Sequence, residues 1–147
     1  MRLLLFLIGF YCAGPVITTE VEAYISFSCT LRTVWCYEAT LVERDNLYDD
    51  ILEKGDKYCA RGPSGSIPTI WYGNITTDGP VDEKIEIEIY VKHNCSSNGW
   101  PMSFRAHLAS SFPLSRPNML ISQVGDLTNI NLPGLLHFVD GKIVNTL

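Results

Sequence analysis

From Asp82 to Cys95 the chain reads DEKIEIEIYVKHNC, and apolar and polar residues alternate almost without interruption. Strand side chains point to opposite faces in turn. This phase therefore sends Ile85, Ile87, Ile89, Val91, His93 and Cys95 to one side, and Glu86, Glu88, Lys92 and Asn94 to the other. The first set predicts a core face, the second a face turned to water. Ala23 to Cys29 sets Ala23, Ile25, Phe27 and Cys29 against Tyr24, Ser26 and Ser28, and Trp35 to Leu41 sets Trp35, Tyr37, Ala39 and Leu41 against Cys36, Glu38 and Thr40. Further short runs follow at Lys57 to Arg61, Ile67 to Gly73, Ser103 to Ala109, Met119 to Val124 and Thr128 to Leu132, with turn residues between them. A single short helical turn is expected near Tyr48 to Glu53. Many short alternating strands without amphipathic helices between them predict an all-β sandwich of about 7 to 8 strands in two antiparallel sheets. No repeat and no low-complexity tract interrupts this pattern.

Strand phase also sorts the cysteines. Cys29 and Cys95 continue core-facing series, whereas Cys36 lies on the polar row of its strand and Cys59 lies between Lys57 and Arg61. Four cysteines allow three connectivities, and spacing alone leaves the choice open. Parity favours Cys29 with Cys95 across the sandwich and Cys36 with Cys59 on the outside. The Cys29–Cys95 loop is long, and closing it is worth about 4 kcal/mol in the chain-entropy model.

The compartment follows from the N-terminus. MRLLLFLIGFYCAGPVITTE carries one charge at Arg2, an apolar run from Leu3 to Phe10 and small residues after it, the layout of a secretory leader over residues 1–19 cut between Cys12 and Thr19. Residues 20–147 then form one domain, because a chain of 147 residues with 46% hydrophobic content holds one core comfortably and not two. Loss of Arg2 takes the net charge from −5 to −6, and loss of Cys12 takes the cysteines from 5 to 4. An even cysteine count behind a leader fits disulfides in an oxidising compartment. Two glycosylation sequons, Asn74-Ile-Thr76 and Asn94-Cys-Ser96, point the same way. The acidic balance excludes nucleic acid and simple docking on anionic lipid.

Candidate chemistry is sparse. His93 and Cys95 stand one residue apart, but zinc needs further ligands at matching spacing and the chain offers none. The loop DNLYDDILEKGD gathers Asp45, Asp49, Asp50, Glu53 and Asp56 without the ligand spacing or central glycine of a helix–loop–helix calcium site. His107 and Ser111 are close in sequence, yet His107 has outward parity with Ser103 and Arg105. Neither a catalytic residue, a metal nor a cofactor is expected. Trp35, Trp71, Tyr72 and Trp100 could line a ligand cleft or fill the core. The apolar tail from Leu132 to Leu147 is too short to span a bilayer, so it reads as an edge strand or a partner patch.

Several of these segments resemble the nematode transthyretin-like proteins. LVERDNLYDDILEKG is similar to that family's hydrophobic-Glu-x-Asp and Asp-Asp-x-Leu segment, and CARGPSGSIPTIWYG falls where the family carries a Gly-containing hairpin and a strand ending in Gly, here Gly73. KIEIEIYVKHNC resembles its Tyr and His-x-Cys strand end, although Val91 and Lys92 separate Tyr90 from His93 here. FRAHLASSF and VGDLTNINLPG follow in the order of its last two strands, so the likeness runs from about Glu22 to Pro133. The resemblance implies a secreted transthyretin-like β-sandwich that binds or bridges an extracellular ligand: a lipid, a small hydrophobe or a cell-surface protein. Pairing of two sandwiches stays open. A hydrolase of the transthyretin-related type, acting on a 5-hydroxyisourate-like purine-breakdown intermediate, is the alternative, but this chain ends KIVNTL where that enzyme carries Tyr-Arg-Gly-Ser. A non-catalytic structural or effector protein is a third reading.

Overall fold

The computed structural model describes residues 18–45, 48–63, 66–76, 84–113, 118–130, 135–139 and 142–144. The expected leader lies almost entirely outside them, but Thr18 and Thr19 already belong to the first strand. In chain order the described strands are β1 (Thr18–Ser28), β2 (Val34–Glu43), β3 (Asp50–Lys54), β4 (Tyr58–Arg61), β5 (Ser66–Thr76), β6 (Lys84–His93), β7 (Met102–Pro113), β8 (Asn118–Asp126), β9 (Leu135–Val139) and β10 (Lys142–Val144). They form a three-stranded sheet ordered β5-β1-β8 and a seven-stranded sheet ordered β10-β9-β7-β6-β2-β3, with β4 also paired to β2. No helix among the described residues is long and apolar enough to cross a membrane.

The alternation of β1, β2 and β6 works as expected, because one face of each strand is buried and the period of two fixes which residues fill it. Val21, Ala23, Ile25 and Phe27 from β1 meet Trp35, Tyr37, Ala39 and Leu41 from β2 and Ile85, Ile87, Ile89 and Val91 from β6 in one core drawn from both sheets. Each fully buried isoleucine contributes about 1.5–3 kcal/mol from the area removed from water. The Tyr37 hydroxyl sits in this core and is satisfied by Thr69 Oγ1. Gly55 lets β3 approach the sheet closely: a Cβ there would come within 2.1 Å of the buried Trp71 ring.

Cys29 and Cys95 leave β1 and β6 on the inner side and join the two sheets, Cα to Cα 6.0 Å. Cys36 and Cys59 lie directly opposite in the β2–β4 register and are bonded on its other face, Cα to Cα 4.0 Å. These are the pairs that parity favours.

Four expectations need correction. The helical turn near Tyr48 to Glu53 is absent: Asp50–Lys54 is strand β3, paired antiparallel to the end of β2 around a bulge at Leu41 and Val42. Here tertiary pairing outweighs local preference. The sheets are mixed, since β8 runs parallel to β1 and β9 parallel to β7. The strand expected at Thr128 to Leu132 begins instead as a turn: Asn129 has φ 57°, Asp126 Oδ1 accepts from the Thr128 amide at 3.0 Å, and Leu127 O accepts from the Ile130 amide. The chain then returns to strand at β9 and β10, so the apolar tail does supply an edge strand. Finally, Glu88 has the outward parity of a solvated residue yet is completely buried. Arg44, Arg105 and His107 reach over it from neighbouring segments and exclude water.

Candidate functional site

The outward row of β1 is Glu20, Glu22, Tyr24, Ser26 and Ser28, which the alternation of TTEVEAYISFS places opposite the core row. Because β1 is the middle strand, register aligns this row with one from each neighbour. Asn74, Glu20 and Asn118 make the first rung, Tyr72, Glu22 and Leu120 the second, Ile70, Tyr24 and Ser122 the third, and Pro68, Ser26 and Val124 the fourth. Tyr24, Ile70, Tyr72, Leu120 and Val124 are all exposed, Leu120 to 70%. Single exposed apolar residues need no explanation, but five on one sheet face form a patch. The same three strands hold Glu20, Glu22 and Asp126 and no lysine or arginine.

A cleft of about 680 Å³ borders the first two rungs, touching Glu20, Glu22, Tyr72, Asn74, Asn118, Leu120 and, from β3, Leu52. The Tyr24 hydroxyl donates to Glu22 Oε1 at 2.5 Å, and this bond holds the phenol above its usual 10.0. Partial burial, with the Glu22 charge behind it, raises Tyr72 as well. The Tyr72 backbone amide donates to Glu53 Oε2 at 2.5 Å, which ties the rim of the cleft to β3. Of the aromatic residues singled out by sequence, only Tyr72 reaches this cleft. Trp35 and Trp71 are core, and Trp100 is exposed in the loop before β7. Glu20, Glu22, Tyr24, Asn118 and Leu120 were not legible as a set, although Tyr24 on the polar row of its strand is a signal in the sequence.

A second polar centre lies on the outer side of the large sheet. Arg105 Nε donates to Glu88 Oε2, while Arg44 Nη1 and His107 Nδ1 stand 3.8 Å and 3.7 Å from Glu88 Oε1. That Oε1 has no hydrogen bond. Arg105 also reaches Asp49 at 3.2 Å and lies 4.7 Å from the centre of the Tyr90 ring, whose hydroxyl donates to Asp49 at 3.1 Å. Burial opposes the guanidinium charge, but Glu88, Tyr90 and Asp49 outweigh it and raise the group above its ordinary value. The centre is a compensated charge cluster.

The acids of the 45–56 loop separate. Asp49 serves Arg105 and Glu53 serves the Tyr72 amide, while Asp45 and Asp50 converge with buried Glu43, their carboxylate oxygens within 4.8 Å of one another. His93 and His107 do not come together. His93 is in the core, where its Nε2–H donates to Ile130 O at 2.8 Å and burial lowers its pKa below 6.5, and His107 is on the opposite face beside Glu88. Of the sequon residues, Asn74 is exposed at the cleft. Asn94, expected to face water, is half-buried because its Oδ1 accepts from the Cys36 amide at 2.7 Å, and Ser96 is buried with its hydroxyl donating to Trp100 O.

Residues 24–119 match the family described as Caenorhabditis elegans protein of unknown function (DUF870). The chain belongs to that family. The matched stretch contains all four disulfide cysteines, the Glu88–Arg105 pair and the Tyr24 and Tyr72 rings. No curated protein and no solved structure matches the chain. What is shown is thus a nematode family and an all-β fold of two sheets with two disulfides, the latter consistent with an extracellular setting.

Proposed function

We propose that the protein is a secreted, non-catalytic binding or bridging protein with a transthyretin-like sandwich, and that it recognises a lipid, a small hydrophobe or a cell-surface protein through the outer face of β5-β1-β8. The observation that carries this reading is the continuous exposed row of Tyr24, Ile70, Tyr72, Leu120 and Val124 beside an open cleft. Soluble domains rarely leave such a patch without a use, and clefts of this size suit small ligands. The leader, the sequons at Asn74 and Asn94 and the bridges Cys29–Cys95 and Cys36–Cys59 support export. Cleavage ahead of Thr18 would keep β1 whole.

The experiment is a screen of the purified, oxidised protein against lipid vesicles, apolar small molecules and displayed surface proteins, repeated with a Leu120→Ser/Val124→Ser variant. Binding by the native chain that the variant loses, at unchanged unfolding midpoint, supports the reading. A hit that the variant retains moves the site elsewhere, and no hit in any of the three classes removes the basis for the proposal.

A further inference from the structure

Within this proposed binding face, and resting on that reading, the cleft has a negative charge that no described cation answers. Glu20 and Glu22 occupy successive outward positions of the central strand, roughly 7 Å apart by strand geometry. No described lysine, arginine or histidine is in ion-pair contact with either, whereas the buried carboxylate on the other sheet is ringed by three cationic or basic groups. The contrast is informative: among the described residues the fold gives the buried Glu88 three basic neighbours and the two cleft carboxylates no ion-pair partner.

The surroundings of Glu22 are also ordered. Tyr24 donates its hydroxyl to the carboxylate and the Tyr72 hydroxyl also bonds to it, which orients the group while the full negative charge and further acceptor lone pairs are kept. Tyr24 follows it on the same strand and Tyr72 lies directly opposite it on β5, and the negative faces of aromatic rings attract cations as well. Asn74 and Asn118 add amide oxygens on the first rung, Leu120 gives apolar wall on the second, and Leu52 lines the cleft beside Gly73. A neutral hydrophobe would use the wall and leave the carboxylates idle. An anion would be repelled.

We propose that the cleft binds an organic cation, an ammonium or guanidinium group carried on an apolar body, with Glu22 as its counter-charge, Tyr24 and Tyr72 as its aromatic flank and Leu52 and Leu120 as the seat of the apolar part. The ligand class is thereby narrowed from apolar molecules in general to small apolar amines and guanidines.

Calorimetric titration of the full-length, disulfide-intact protein with phenethylamine, 2-phenylethanol and phenylacetate tests this directly, because the three probes share a ring and differ in charge. The amine is expected to bind at least about tenfold more tightly than the alcohol, the gain of one charge-assisted hydrogen bond, and phenylacetate to give no heat. Glu22→Gln should erase that preference and leave the alcohol's affinity as it was; Glu20→Gln, at a more exposed position, should reduce it several-fold. Thermal unfolding of both variants checks that the fold is intact. If alcohol and amine bind equally, or if Glu22→Gln keeps the preference, the cation proposal is overturned while an apolar binding face survives. If none of the three binds, the cation proposal also falls, and the broader reading is decided by its own screen.

Discussion

Replacing Arg105 by Met is expected to destabilise the protein far more than replacing its partner Glu88 by Gln. Glu88 is completely buried, and Arg105 Nε is its only close donor among the described residues. The remaining basic groups, Arg44 and His107, lie at 3.8 and 3.7 Å from the other oxygen. A full charge pair at that distance is worth roughly 4 kcal/mol gross with an effective dielectric near 20. Arg44 is half exposed, so screening leaves about a third of that. Stripping one partner from a buried pair typically costs about 3–5 kcal/mol, and the residual attraction places Arg105→Met near the lower end, about 3 kcal/mol. Methionine preserves most of the apolar stem, so little of the loss is packing. The reverse change is milder. In Glu88→Gln, Arg105 keeps Asp49 at 3.2 Å and remains about a quarter exposed to water, so the loss is about 1 kcal/mol, one net hydrogen bond. Urea unfolding followed by tryptophan fluorescence measures both as shifts in midpoint at constant slope. The double variant Arg105→Met/Glu88→Met should recover most of the single-variant loss. Equal losses in the two single variants, or a larger one for Glu88→Gln, would refute the account of Glu88 as the stranded charge.

Three further outcomes follow from the structure. Removing the Cys29–Cys95 bridge with paired serines should cost more than removing Cys36–Cys59, about 4 against about 3 kcal/mol in the chain-entropy model, because the bridged residues are 66 and 23 apart in sequence; equal losses in denaturant titrations would remove loop length as the cause. Gly55→Ala should cost about 1–3 kcal/mol and shift the Trp71 emission, because the new methyl would meet the buried ring at 2.1 Å; an unchanged melting temperature and spectrum would contradict this packing. Burial lowers His93 below 6.5 in the folded chain, so between that lowered value and about 6.5 the unfolded chain binds the extra proton. The stability present above about pH 6.5 should therefore fall as the pH drops toward the folded value and level off beneath it, a trend that His93→Gln flattens and that would be disproved by identical pH profiles for the two proteins.

The core was readable because each of β1, β2 and β6 buries one face, and a period of two then assigns every residue from Val21 to Phe27 and from Ile85 to Val91. The same parity placed the cysteines. It could not anticipate Glu88, since phase reports the side of a sheet and is silent on whether Arg44, Arg105 and His107 will fold over it. Strand β3 escaped because DILEK carries no strand pattern of its own and is shaped by pairing with β2. The cleft was the least legible. Glu22, Tyr72 and Leu120 are each plain outward residues, and only the β5-β1-β8 order, with one parallel pairing, makes them a single rung.

The contact between Glu53 and the Tyr72 amide has a consequence beyond the rim of the cleft. Strand β5 is the border of its sheet and is eleven residues long, the length at which an open border invites a foreign strand to add on. Pro68 has no amide proton to offer there, and the Glu53 carboxylate already occupies the one at Tyr72. An incoming chain would have to displace an anion and would meet its charge. The acid thus acts as a stopper on sheet growth, so that one side chain on a neighbouring strand gives the fold resistance to fibrous self-assembly.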